Sequence, residues 1–96
     1  MLLKDSTSTH LAELFSALSD PTRLRIISVL LEAELNVGDI ASQLDMTESA
    51  VSHQLRGLRQ LKIVRSRKKG RQVFYALDDE HVTKLYRMGL DHIEHG

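Results

Sequence analysis

Apolar residues recur at helical spacing along most of the chain, and the gaps between the runs carry helix-start signals. Leu11, Leu14, Phe15 and Leu18 predict a first helix over about residues 8–18. Asp20-Pro21 then marks a second start, because aspartate caps a helix and a proline at the first helical position has no needed N–H to lose. Leu24, Ile27, Leu30 and Leu31 carry that helix to about Glu34, and Val37, Ile40, Ala41 and Leu44 mark a short third one. After Asp45-Met46, Thr47 can cap a fourth helix with an apolar stripe of Val51, Leu55 and Leu58. Its opposite face carries Ser52, His53, Arg56, Arg59 and Gln60.

From Ile63 to Leu77 the pattern changes to β-branched and aromatic residues around Lys69-Gly70, which predicts a two-stranded hairpin with a basic tip. Asp78 or Asp79 then caps a last helix with Val82, Leu85, Tyr86, Gly89 and Ile93 on a broad apolar stripe. Nothing else in the chain remains to cover that stripe. Gly89 inside it is either tolerated or lets another backbone approach closely. The expected fold is mainly α with a small β-hairpin: a winged helix-turn-helix of five helices plus a two-stranded wing, forming one domain over residues 1–96.

Ninety-six residues with 42% hydrophobic content fit one small domain with a modest core, to which oligomerisation would add buried area. Without cysteine, the chain has no disulfide, no thiolate metal site and no cysteine redox switch. The longest apolar run is far below a membrane span, and Met1 to His10 lack the features of a signal peptide, so the cytoplasm is the expected location.

The net charge of zero conceals three blocks. Residues 1–48 carry three basic and eight acidic side chains (net −5), residues 49–77 eight basic and none acidic (net +8), and residues 78–96 two basic and five acidic (net −3). A basic block is either a solvated face or a surface for a polyanion, most simply nucleic acid. Here it coincides with the second helix of the helix-turn-helix and the hairpin. That helix would enter the major groove, with Ser49, Ser52, His53, Gln54 and Arg56 as its DNA-binding residues. Arg67, Lys68, Lys69 and Arg71 on the wing suit phosphates, which reward charge without demanding exact geometry.

Three of the five histidines fall in the last sixteen residues, as Asp79-x-His81 and His92-x-x-His95. On one helix, His81 and His92 point within roughly 20° of each other but stand roughly 16 Å apart along the axis. Zinc bonds to imidazole nitrogen are about 2.0 to 2.1 Å, so a single ion could join the two only across two chains. Each histidine alone reads as a surface residue near a terminus. His10 is read as exposed near a frayed end, and His53 as a DNA contact with no metal role.

The stretches Leu18-Ser19-Asp20-Pro21-Thr22-Arg23 and Ser49-Ala50-Val51-Ser52-His53-Gln54-Leu55-Arg56-Gly57-Leu58 resemble the ArsR/SmtB family of metal-responsive winged-helix repressors. The likeness runs from about Leu11 to the C-terminus. It implies a homodimer built largely from the first and last helices, bound to a twofold double-stranded operator and released by metal, with residues 47–61 as recognition helix. One sensing site of that family uses cysteines in a Glu-Leu-Cys-Val-Cys-Asp motif. The matching stretch here, Glu34-Leu35-Asn36-Val37-Gly38-Asp39, has neither thiol, which argues against soft-metal sensing there.

The family's other site pairs Asp-x-His from one subunit with His-x-x-His or His-x-x-Glu from the other, and Asp79, His81, His92 and His95 match the first form at every position. Three imidazoles and one carboxylate would make a closed tetrahedral set suited to Zn(II), with Co(II) as competitor. The resemblance also implies a relay from His92 towards the backbone near Leu61-Lys62. A repressor of the same fold answering a non-metal signal is the alternative. A zinc hydrolase is disfavoured, because four protein ligands leave no position for water and no His-Glu-x-x-His spacing occurs. No enzymatic activity, membrane partner or organic substrate is expected.

Overall fold

The computed structural model describes residues 1–96. Five helices, α1 (Asp5–Ala17), α2 (Pro21–Leu30), α3 (Val37–Leu44), α4 (Glu48–Gln60) and α5 (Glu80–His95), surround strands β1 (Leu35–Asn36), β2 (Val64–Lys69) and β3 (Gln72–Leu77). The capping expectations hold at the atomic level. Asp20 accepts from the backbone N–H of Arg23 at 3.0 Å, and Thr47 Oγ1 accepts from that of Ala50 at 3.1 Å. Of the two candidates for the α5 cap, Asp79 takes the position, accepting from His81 N at 2.8 Å.

The turn between α3 and α4 is closed by the backbone. Asp45 adopts the left-handed conformation at φ 54°, and Met46 N–H reaches back to Ala41 O at 2.9 Å, which ends α3 sharply enough for Thr47 to begin α4. At the wing tip Lys69 pairs with Gln72 across Gly70 and Arg71. Gly70 has φ 64° while Arg71 stays out of the positive-φ region, the pattern of a type II′ turn, which places glycine first.

The first helix, expected over about residues 8–18 with His10 near a frayed end, begins at Asp5 and so holds His10 within it, and two later boundaries also differ from the sequence reading. The helix expected to run to Glu34 stops at Leu30, and the sheet has three strands, ordered β1-β3-β2, instead of the expected two. The causes are linked. Leu35 and Asn36 pair with Tyr75 and Phe74 of β3, and Asn36 also caps α3 by accepting from Asp39 N at 2.8 Å. Glu32-Ala33-Glu34 favour a helix locally, but the chain must reverse there for the strand to reach β3, so tertiary pairing overrides propensity.

A single hydrophobic cluster joins Ile26 and Ile27 of α2, Ile40 of α3, Val51, Leu55 and Leu58 of α4, Ile63 and Val64 at the start of β2, and Val82 of α5. Only 14 of 96 residues are buried. The radius of gyration is 14.3 Å, against about 12.5 Å for a compact chain of this length. The excess comes from helices that project without cover: α1 buries only Ala17 and α5 only Val82.

Candidate nucleic-acid interface and metal centre

With Val51, Leu55 and Leu58 fully buried, α4 must turn its other side outward. Ser49, His53 and Arg56 are exposed on that side and Ser52 is half-buried, so these four expected DNA-binding residues share one surface. Gln54 is set apart. It lies roughly 100° round the helix from His53, half-buried, with Oε1 accepting from Arg23 Nε at 3.0 Å.

The wing cations also divide. Lys68, Lys69 and Arg71 are exposed and form no salt bridge, leaving three charges at the tip for an anionic partner. Arg67, grouped with them in the sequence reading, is instead clasped by Glu34: Nε lies 3.0 Å from both carboxylate oxygens and Nη2 2.8 Å from Oε1. This forked pair holds the Glu34 carboxyl below its ordinary range and the guanidinium above its own. Glu34, Arg23 and Arg65 were not expected to have roles, since their partners are 12 to 33 residues away along the chain.

Arg65 ties the wing to the last helix. Its Nη1 donates to the carbonyls of Leu77 at 3.0 Å and Asp78 at 2.8 Å. Asp79 follows directly, in extended conformation at φ −153° and ψ −178°. That backbone turns both carboxylate oxygens towards His81: Oδ1 accepts its N–H, and Oδ2 lies 3.1 Å from Nδ1. The hydrogen bonds from His81 hold the Asp79 carboxyl below its ordinary range, favouring the ionised form that a metal would require.

His92 and His95 are exposed on the last turn of the same helix. Within one chain no group of three or more histidine and carboxylate side chains is placed to hold a metal. The structure therefore brings Asp79 and His81 together and keeps His92 and His95 at the opposite end of α5. No side-chain hydrogen bond links His92 to Leu61 or Lys62 in the single chain; Leu61 and Lys62 instead border a depression with His10, Glu13 and Gln60.

Between the two ends of α5 lies apolar surface. Phe15 and Leu18 of α1 and its C-cap, Leu24 of α2, and Leu85, Tyr86, Gly89, Leu90 and Ile93 of α5 line a groove open to solvent. Ile93 is 81% exposed and Met88 70%. A Cβ at Gly89 would meet nothing within 4 Å, so that side of the helix is open within the chain. The cysteine-type site of the family has no counterpart: Asn36 spends its side chain on the α3 cap and on Gln72, 3.2 Å away. No helix is long and apolar enough to cross a membrane.

Residues 20–66 match the model of the bacterial regulatory proteins of the arsR family. The chain is 52% identical over 85 residues to a transcriptional repressor SmtB homolog of Synechocystis sp., covering 88% of this chain and 64% of that protein. It is 46% identical over 82 residues to a cadmium resistance transcriptional regulatory protein CadC homolog of Staphylococcus aureus, covering 84% of this chain and 68% of that one. With the HTH-type transcriptional regulator NmtR of Mycobacterium tuberculosis it shares 40% identity over 93 residues, 97% of this chain and 78% of that protein.

The solution structure of apo-NmtR superposes with a TM-score of 0.84 at 38% identity, covering all of this chain and 81% of the other. A homodimeric winged helix-turn-helix DNA-binding domain from Mycobacterium bovis, a possible ArsR-family regulator, gives 0.85 at 26% identity over 98% and 94% of the two chains. The winged fold, the outward basic face of α4 and these likenesses lead to one assignment: the chain belongs to the arsR family of bacterial regulatory proteins.

Proposed function

We propose that this protein is a metal-sensing transcriptional repressor that binds a twofold operator as a homodimer and leaves it when Zn(II), or Co(II), occupies sites shared between subunits. The observation that carries this reading is the state of α5. Asp79 and His81 are gathered at one end, His92 and His95 stand at the other, and uncovered apolar surface lies between. Antiparallel packing of two such helices would bury that surface and bring His92 and His95 of the partner subunit to Asp79 and His81. Symmetry makes two equivalent sites. Three imidazole nitrogens and one carboxylate oxygen fit a closed tetrahedral ion.

Ser49, Ser52, His53 and Arg56 would then face a major groove while Lys68, Lys69 and Arg71 meet phosphates, each subunit reading one half-site about 34 to 36 Å from the next. The protein would act where the operator is, in the cytoplasm. Metal releases DNA only if it binds better to a dimer shape that fits the operator poorly. Strand β3 would give the two proposed sites a short physical connection, since it runs from the wing tip to Leu77, two residues before Asp79, and Arg65 clamps its end.

The test is His92→Ala, assayed for operator binding with and without zinc. Retained DNA binding with lost zinc response supports the reading; release by zinc as in the unmodified protein refutes the assignment of the site. Unchanged DNA affinity of the unmodified protein at saturating zinc would favour a repressor answering a non-metal signal. Because imidazole binds metal only when deprotonated, zinc affinity should fall between pH values of about 7.5 and 5.5, on either side of the ordinary histidine range. Calorimetric titration at both pH values checks this, and equal affinities would contradict it.

A further inference from the structure

Asp78 and Asp79 are the whole link between β3 and α5, and an exposed arginine of β2 holds it. Arg65 stands opposite Ala76 in the sheet, and its Nη1 donates to the carbonyls of Leu77 at 3.0 Å and Asp78 at 2.8 Å. A terminal guanidinium nitrogen carries two hydrogens, one for each oxygen. Successive carbonyls of an extended strand point to opposite sides, so a single nitrogen meets both only where the chain bends out of the strand. Arg65 clamps that bend. Although Glu32, Glu34, Asp79 and Glu80 border the same depression, Arg65 forms no salt bridge with any of them.

The two peptide planes of the link are held differently. The plane joining Leu77 to Asp78 is fixed by the backbone, since the N–H of Asp78 donates to Ile63 O at 2.9 Å. The plane joining Asp78 to Asp79 is equally rigid, but no backbone hydrogen bond holds it, and the bond from Arg65 to the Asp78 carbonyl is its anchor. The φ rotation of Asp79 starts from that plane. Its value of −153°, with ψ −178°, gives the extended start from which Oδ1 reaches the His81 N–H and Oδ2 lies 3.1 Å from Nδ1.

We propose that Arg65 is a positioning residue for metal: by holding the Asp78 carbonyl it presets the Asp79–His81 half of each site shared between subunits. This rests on the reading that Asp79 and His81 are ligands. The sign of the effect separates positioning from charge. A cation near a divalent ion repels it, so a purely electrostatic role predicts tighter zinc binding when Arg65 is neutralised, whereas positioning predicts weaker binding.

The experiment titrates zinc into the full-length protein, Arg65→Met, Asp79→Ser and the double variant, each checked for folding by circular dichroism. Serine still caps α5 but supplies no carboxylate. Arg65→Met should weaken zinc binding by about tenfold, the low end for a group acting through a ligand. In the Asp79→Ser background the same change should cost less than about twofold, because the ligand it positions is gone. The zinc-free protein gives a second readout. A carboxylate only accepts, so Nδ1 of neutral His81 carries the ring proton beside Asp79. Ring-nitrogen NMR spectra at about pH 8 should show that tautomer enriched in His81 over His95, which has no carboxylate partner, and Arg65→Met should remove the difference.

Zinc affinity unchanged or raised in folded Arg65→Met overturns the proposal, as does an equal loss in both backgrounds or an unaltered His81 tautomer. If Arg65→Met does not fold, Arg65→Gln, whose amide falls short of the Nη1 position, is read in the same way. Asp79→Ser separates the two levels: zinc bound as tightly without the carboxylate means that Asp79 is no ligand, and both the four-ligand site and this inference fail. Where Asp79→Ser weakens zinc binding and the Arg65 outcomes go the other way, only this inference fails.

Discussion

Helices α4 and α5 are both amphipathic, yet one is finished by its own chain and the other is not. Val51, Leu55 and Leu58 of α4 are completely buried, Thr47 caps its start, and Arg23 braces its side. The longer α5 buries only Val82 and leaves Met88, Leu90 and Ile93 in solvent. The same division appears in charge: the +8 block belongs to α4 and the wing, and the acidic blocks flank it. A face that reads DNA must hold its geometry before the ligand arrives, because contacts loosened by even small displacements lose specificity. On the proposed function, the α5 face would sense through a second copy and so must stay open until that copy covers it.

The largest effect that would break this comparison is in the α4 core. Leu55→Ala should destabilise the fold by roughly 2–5 kcal/mol, measured by urea denaturation; a loss well under 1 kcal/mol would mean α4 is not held by its own chain. Ile93→Asp should behave in the opposite way. The side chain is 81% exposed, so monomer secondary structure should persist, while the dimer dissociation constant rises by about thirtyfold or more. Sedimentation showing an undisturbed dimer would remove α5 from the interface.

The smallest effect concerns the wing. Glu34→Gln should release Arg67 and steepen the salt dependence of DNA binding by up to about one unit of slope; an unchanged slope would mean Arg67 stays away from phosphate even when unpaired. The pair also sets a pH window. Glu34 titrates lower in the folded protein, held down first by the hydrogen bond from Arg67, so its contribution is fully present above the ordinary glutamate range near about 4.3 and is lost as pH falls through the lowered value. Wing order, followed by hydrogen exchange of β2, should therefore be constant from pH 8 to about 5 on this account, and its acid loss should be shallower in Glu34→Gln.

The helices were legible because their signals are local. Asp20, Thr47 and Asp79 each act on an N–H two or three residues away, and an apolar residue every three or four positions is visible in any short window. Strand β1 was not legible. It consists of two residues, and its partners Tyr75 and Phe74 stand far along the chain. The same distance hid the clasp of Glu34 on Arg67 and the bond from Arg23 to Gln54.

The half that carries the four candidate ligands divides in the same manner. His81 and His92 share a face by helical arithmetic alone, and the spacing of the four candidate ligands is written in the sequence. That Asp79 turns back onto His81 depended on the extended backbone at the helix start, which a regular helix would not have provided. By itself, then, the sequence determined the helices, their caps, the basic block and the ligand spacing, since each follows from neighbours within about one or two turns. Only the tertiary structure decided where α2 stops, which cations remain free and which way Gln54 faces, because those outcomes depend on groups that the fold alone brings within hydrogen-bond distance.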